Sequence, residues 1–298
     1  MNITAIVVAH NRPTELRMVV SALLGQSVPP SRILIIDNAS QQPVAEVLAG
    51  FPNVEVIRSE VNTGGAGGFA FALQKALKRD DKGTVQSEWV WMLDDDAVPR
   101  PSALEALIKA TKGLPDRVGA LCSAVYEFDT LALMHRRAFD FQFGWESPIA
   151  AAQYQGAQVP IDTSSFVGLL VKTEVARVVG LPDASFFIAY DDTDYSLQIR
   201  KAGWSIWLVP QSQIDHLRKR ESRMRAHPFG HKHYYNIRNR LVVVRRYADC
   251  KILAGAIATV YALGIWSLSQ RTFSATSIRL LVRAVSDGWR GRLGRISR

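Results

Sequence analysis

Apolar and polar positions in the first half of the chain alternate between two periods. Ile3 to Val8 is a short, unbroken apolar run and reads as a buried strand. After the polar turn His10-Asn11-Arg12-Pro13, residues Leu16, Val19, Val20, Leu23 and Leu24 fall at i, i+3, i+4, i+7 and i+8. That is one face of a helix, with Thr14 as candidate cap and Gly25 and Pro29-Pro30 as the stop. Ile33 to Ile36 gives a second strand ending at Asp37-Asn38, and Val54 to Ile57 gives a third. Gly64 to Gly68 predicts a glycine-rich turn before a helix over Phe69 to Leu77. Trp89 to Leu93 is a fourth strand, closed by Asp94-Asp95-Asp96.

Strands alternating with helices predict an α/β domain built on a mostly parallel, doubly wound sheet. Such sheets bind ligands beyond the carboxyl ends of their strands. Polar residues gather there: Asn11 and Arg12, then Asp37, Asn62 and the aspartate triplet.

Periodicity is weaker over residues 120 to 190. Ser164 to Lys172 reads as a strand, and Phe186 to Ala189 leads into Tyr190-Asp191-Asp192-Thr193-Asp194. Tyr195, Leu197 and Ile199 suggest a short helix that Gly203 ends, and a late strand from Trp204 to Val209 delivers Asp215-His216. Ile252 to Leu268 carries no charge and is at the short end of what spans a bilayer. A membrane-seated or monotopic helix with a basic, partly amphipathic tail is expected; a buried core helix is the competing reading. The expected organisation is a catalytic domain over 1–215, a basic and aromatic segment over 216–250 that completes the site, and a membrane-associating extension over 251–298.

Composition narrows the class. A 298-residue chain that is 48% hydrophobic and 21% charged is a folded protein. Two cysteines make no disulfide framework, and the start has no basic run before its apolar stretch, so a cytoplasmic location is expected. The net charge of +9 is uneven: the tail carries Arg271, Arg279, Arg283, Arg290, Arg292, Arg295 and Arg298 against Asp287. Such asymmetry suits nucleic acid or an anionic membrane leaflet. Clustered acids at Asp94–Asp96 and Asp191–Asp194 would repel nucleic-acid phosphates, so the membrane is preferred.

Three adjacent carboxylates repel one another, and a bound cation relieves that repulsion. In extended backbone Asp94 and Asp96 point the same way, as oxygen ligands for Mg²⁺ or Mn²⁺ would. The run Asn62-Thr63-Gly64-Gly65-Ala66-Gly67-Gly68-Phe69 allows close backbone approach to a ligand, but it is neither a Walker A nor a G-x-G-x-x-G motif. The Asp191-Asp192 pair suits a general base, with N-capping as the alternative. His216 is a candidate metal ligand or phosphate contact, or a structural histidine. The segment from His231 to Arg240, with Arg245 and Arg246, mixes aromatics and cations in a way that suits clamping a pyrophosphate or a lipid phosphate.

Taken in order, Val7-Val8-Ala9-His10-Asn11-Arg12-Pro13, Ile36-Asp37-Asn38-Ala39-Ser40 and the aspartate triplet resemble the inverting family-2 glycosyltransferases of GT-A fold. Asn62 to Phe69, Trp91-Met92-Leu93-Asp94-Asp95-Asp96 and Tyr190-Asp191-Asp192-Thr193-Asp194-Tyr195 resemble, more narrowly, bacterial galactofuranosyltransferases of cell-wall and O-antigen assembly. The resemblance covers about residues 1 to 240. It implies that Asp94, Asp96 and His216 hold Mn²⁺ or Mg²⁺. It also implies that Arg12, Asp37, Asn62, Gly64, Gly65, Asp94 and Asp95 bind the nucleotide sugar. Asp192 would be the base, with Asp191 and Asp194 orienting it or the acceptor. The implied donor is UDP-galactofuranose and the implied acceptor a lipid-linked glycan at the cytoplasmic face of the inner membrane. Asp191 stands where many family members have Glu, and the long extra domains of polymerising members are missing, so a few transfers are expected. A rhamnosyltransferase using dTDP-rhamnose shares most of these motifs, and a nucleotidyltransferase shares the glycine-rich loop and paired acids.

Overall fold

The computed structural model describes residues 1–78, 87–113, 115–218, 228–269 and 274–296; Arg271 and Arg298 of the basic tail lie outside them. The amino-terminal half contains β1 (Ile3–Ala9), α1 (Pro13–Leu24), β2 (Arg32–Asp37), α2 (Val44–Val47), β3 (Val54–Arg58), α3 (Gly64–Ala76), β4 (Trp89–Asp94), β5 (Ala97–Pro99) and α4 (Ala103–Ala110). The middle adds β6 (Val118–Glu127), β7 (Thr130–Leu131), β8 (Arg136–Asp140), β9 (Trp145–Pro148), β10 (Val159–Ile161), β11 (Thr163–Ser164) and β12 (Leu169–Lys172). The remainder is α5 (Thr173–Val179), α6 (Asp191–Lys201), β13 (Ser205–His216), α7 (His231–Tyr247), α8 (Lys251–Leu268) and α9 (Ala275–Arg290).

The main sheet has the order β10-β13-β6-β12-β4-β1-β2-β3. β3, β2, β1 and β4 are mutually parallel, and β6 and β13 point the same way, because β12 runs against both β4 and β6. One edge of the sheet therefore receives the carboxyl ends of six strands: Ala9, Asp37, Arg58, Asp94, Glu127 and His216. Alternation along β1 divides the core. Ile3, Ala5 and Val7 pack with Leu16, Val19, Val20 and Leu23 of α1. Ile6 and Val8 face Phe69 and Leu73 of α3 and share that side with Val175 and Ile199. Covering on both faces is why these strands read as continuous apolar runs. Each fully buried Leu, Ile or Val contributes about 1.5–3 kcal/mol.

Three expectations change. The glycine run is not a turn: α3 begins at Gly64, and Gly64 to Gly68 form its first turns. Gly64 has φ +73, and a Cβ there would sit 1.9 Å from the Phe187 carbonyl oxygen; one on Gly68 would sit 2.4 Å from Val8. The glycines bring the helix start against β1 and the Phe187 loop rather than bending the chain. The single strand expected over Ser164 to Lys172 splits, β11 joining a small sheet of order β11-β8-β9 and β12 the main sheet. The late strand runs on to His216 through a register shift between Val209 and Gln213. β6, in the stretch of weak periodicity, is a buried central strand.

The basic and aromatic segment is α7, and it packs against α8 and α9 through Tyr235, Leu241, Ala254, Ala258 and Leu281. Only 22% of α8 is buried, so it is not a core helix. Its small residues Ala254, Gly255, Ala258 and Ala262 face inward, whereas Ile252, Val260, Leu263 and Leu268 are exposed. α7 is tied to α6 by polar groups as well. Arg246 Nη1 donates to Asp194 Oδ1 at 2.9 Å, the Tyr247 hydroxyl lies 3.0 Å from the same oxygen, and Gln198 donates to Asp194 Oδ2 at 2.7 Å. Asp194 is fully buried. Removing its carboxylate leaves Arg246 and Tyr247 short of their acceptor. Asp194→Ala is expected to cost about 2–3 kcal/mol of stability, read as a lower urea midpoint with an unchanged slope.

Candidate active site

β4 ends at Asp94, and the chain then turns through Asp95 and Asp96 into β5. Their repulsion is met by cations from the neighbouring strand ends. Arg12, just beyond β1, places Nη1 2.8 Å from both Asp95 Oδ1 and Asp96 Oδ2. The His10 amide donates to Asp95 Oδ2 at 2.8 Å. His216, closing β13, brings Nε2 to 3.2 Å from Asp96 Oδ1. That oxygen is buried and accepts no hydrogen bond. Ligand atoms of Asp94, Asp96 and His216 all lie within 4.8 Å of one another. Two carboxylates and an imidazole around an orphaned buried oxygen form a donor set that fits a divalent cation such as Mn²⁺ or Mg²⁺.

The crowding of charge agrees with this fit. Burial, then the charge of Asp96, pushes Asp94 up to about 7, against the pull of His216 and Arg12. Burial acts to lower His216, but the carboxylates of Asp96 and Glu127 beside it carry it up to about 10. A proton on His216 Nε2 thus sits where a cation would replace it.

Glu127, the last residue of β6, was not singled out from the sequence. Its Oε1 lies 3.0 Å from His216 Nδ1 and 3.3 Å from His135 Nε2, and His135 Nδ1 is 2.7 Å from Ser165 Oγ. His135 and His216 hold Glu127 far below the usual carboxylate range. Accepting a hydrogen bond from Nδ1–H, Glu127 fixes the tautomer that turns the Nε2 lone pair towards Asp94 and Asp96. β6 lies in the stretch without clear periodicity, so the sequence offered no signal for Glu127.

A cavity of about 490 Å³ opens beside the acids. Arg12, Asn62, Gly64, Gly65, Asp94, Asp95, Asp96, Asp191, Asp192 and His216 line it, so the structure brings most of the predicted residues together. His10 joins the wall: Nδ1 lies 3.0 Å from the Asn38 carbonyl, and Nε2 is 3.1 Å from Asn62 Nδ2. Two predicted residues are elsewhere. Asp37 is buried beneath the floor, accepting from the Ser40 and Val44 amides and from Arg58 Nη1 at 2.5 Å; Asn38 faces the cavity instead. Asp194 lines neither this cavity nor its neighbour, being held by α7. A smaller hollow of about 210 Å³ lies behind Arg12, between Asn11, Pro13, Ser40 and Gln41.

Asp191 and Asp192 open α6 directly after a strained loop in which Phe187, Ala189 and Tyr190 all have φ between 65° and 68°. Backbone in this region costs about 1–3 kcal/mol per non-glycine residue and needs external support. α7 supplies it. Asn239 Nδ2 lies 2.7–3.2 Å from the carbonyl oxygens of Phe186, Ile188 and Ala189, and Arg238 Nη2 donates to Phe186 at 2.9 Å. Both residues are buried, so this part of the expected clamp is a brace; Lys232 and Arg240 remain at cavity walls. Burial, then the charges of Asp192 and Asp94, raises Asp191 well above the ordinary carboxylate value. Asp192 Oδ1 accepts from the Thr193 amide at 2.6 Å.

Replacing Glu127 with Gln keeps the shape but offers an amide to His216. E127Q is expected to weaken Mn²⁺ binding about 10- to 100-fold, measured by electron paramagnetic resonance titration of the full chain. Unchanged affinity would remove Glu127 from the metal site.

The fold and these residues have relatives. Galactofuranosyltransferase GlfT1 of Mycobacterium tuberculosis is 27% identical over 216 residues, covering 68% of this chain and 66% of that protein. The N-acetylglucosaminyl-diphospho-decaprenol L-rhamnosyltransferase of the same species is 22% identical over 209 residues, covering 63% of this chain and 66% of its own length. The matches thus span slightly less than two thirds of these relatives. Among solved structures, GalNAc-T7 with UDP, GalNAc and Mn²⁺ superimposes with a TM-score of 0.64 at 15% identity, over 96% of this chain and 54% of that one. At that identity the likeness is one of fold, the GT-A fold that the sequence motifs implied. The family model for glycosyl transferase family 2 matches residues 4–171, more than half of the chain. The chain belongs to glycosyl transferase family 2.

Proposed function

We propose that this protein is an inverting glycosyltransferase that moves a sugar from a UDP-linked donor, galactofuranose in the first instance, to a lipid-linked glycan at the cytoplasmic face of the membrane. The observation that carries this reading is the meeting of two cavities at Asp192. One holds the acid–histidine cluster; the other, of about 500 Å³, lies towards α8; Asp192 lines both. A base shared by a donor site and an acceptor site is what a single displacement needs.

In this reading the nucleobase takes the hollow between Asn11, Pro13 and Ser40, and the diphosphate lies at the amino end of α3 near Gly64 and Gly65, where helix N–H groups favour anions. Asp94, Asp96 and His216 would hold the cation, which supplies positive charge to the departing diphosphate. Arg218 and Lys232 line the same cavity and add to that charge. Asp192 takes the proton of the acceptor hydroxyl, and the hydroxyl oxygen bonds to the anomeric carbon from the face opposite the leaving group. The bond to the diphosphate oxygen breaks with its electron pair, and the configuration inverts. The sugar and the acceptor are drawn from the likeness to the galactofuranosyltransferases, together with the bare apolar face of α8.

Asp192→Asn is expected to lower kcat by about 10²–10⁴-fold while leaving UDP affinity unchanged, since the base acts on the acceptor. Near-normal turnover would remove Asp192 from that role. Asp96→Ala is expected to abolish the Mn²⁺-dependent part of UDP binding, read by calorimetry with and without chelator. A panel of nucleotide sugars tests the donor: metal-dependent turnover of UDP-galactofuranose is the expected result. Preference for dTDP-rhamnose would reassign the sugar within the same mechanism.

A further inference from the structure

The cavity on the far side of Asp192 has an unusual wall. It lies between the β8–β9 hairpin, the amino end of α6, α7 and α8, and it shares Ser165, Ala189, Asp192 and Arg218 with the donor cavity. At its α8 side Arg240 stands against two rings, with Cζ 4.1 Å from the Tyr261 centroid and 5.1 Å from that of Trp145. The rings themselves are 6.0 Å apart and nearly perpendicular. Arg137, also in the wall, has its charge met by Glu146 at 3.1 Å. Arg240 has no carboxylate partner and no hydrogen bond among the described residues. A guanidinium held by ring faces keeps its edge N–H groups for an oxyanion.

The α8 side of that wall is apolar. Ala258, Ala262 and Ile265 of α8 complete it, and around the same helix Val260, Leu263 and Leu268 are 69%, 49% and 91% exposed. On α9, Ile278 and Val282 are exposed as well. The α8 wall of the cavity thus backs onto an uncovered apolar surface of the same helix.

Resting on the glycosyltransferase reading, we propose that this cavity is the acceptor subsite, with the phosphate of a lipid-linked sugar on Arg240 between Trp145 and Tyr261. The sugar hydroxyl reaches Asp192, and the lipid leaves along the bare face of α8. Charge complementarity selects the phosphate, and the strip selects the lipid. A free anion would have no use for the strip, and a neutral glycan no use for Arg240.

The test is calorimetric titration of decyl diphosphate into the full chain saturated with UDP and Mn²⁺, beside inorganic pyrophosphate and phosphatidylglycerol vesicles. Decyl diphosphate is expected to bind the wild type at least about tenfold more tightly than pyrophosphate does. R240Q is expected to lose that affinity by about tenfold or more, with UDP binding intact. W145A, a change at a half-exposed ring, is expected to weaken the same probe and serves should R240Q fail to fold. Equal binding of decyl diphosphate by wild type and both variants overturns the subsite. Pyrophosphate binding as tightly as decyl diphosphate overturns the lipid assignment. Vesicle binding alone, insensitive to R240Q, reduces the strip to a membrane contact and overturns the subsite. Failure of the wild type to bind UDP would strike the glycosyltransferase reading itself, whereas intact UDP binding with an indifferent probe strikes only the subsite.

Discussion

Carboxylates crowded at one sheet edge are the constraint around which this molecule is arranged. Asp94, Asp95, Asp96 and Asp191 stand close enough that each raises the cost of ionising another, and burial adds to that cost. Arg12 answers Asp95 and Asp96, His216 answers Asp96 from its other side, and the two cations come from different strand ends. The parallel strands are what allow this. Because six of them finish at the same edge, residues more than a hundred positions apart in sequence meet within hydrogen-bond distance. The cluster still leaves a buried Asp96 oxygen without a hydrogen bond, and a divalent cation is the natural completion.

The same crowding explains the residues behind the site. A histidine that serves a metal must present the correct nitrogen, and Glu127 settles that by holding the other one; His135, itself held by Ser165, holds Glu127 in turn. The strained loop before Asp191 is sustained in a comparable way, by Asn239 and Arg238 reaching in from α7. Glu127, Asn239 and Arg238 line neither cavity, yet they set the angle at which Asp192 and His216 face it.

Such bracing also gives the carboxyl-terminal helices more than one task. α7 packs against α8 and α9, ties Asp194 down through Arg246 and Tyr247, and lends Arg240 to the second cavity. α8 closes that cavity with small side chains and turns large apolar ones outward.

Much of this was legible in the sequence, and the division follows from range. Apolar period and strand-end chemistry are local, so β1 to β4, α1, the aspartate triplet and the Asp191-Asp192 pair could be read directly, and their order carried the family. Asp37 and Asp194 were read by type and position, but only tertiary contacts decided that Arg58 and the Ser40 turn take up the first and α7 the second. Glu127 sits on a central strand whose two-sided burial erases periodicity, so nothing local marked it. The glycines of α3 signalled close approach but not of what; Val8 and the Phe187 carbonyl, distant in sequence, supplied the reason. Local pattern determined which elements form and which chemistry they carry; the tertiary structure decided which of those side chains face the cavities, because that depends on partners the chain meets only when folded.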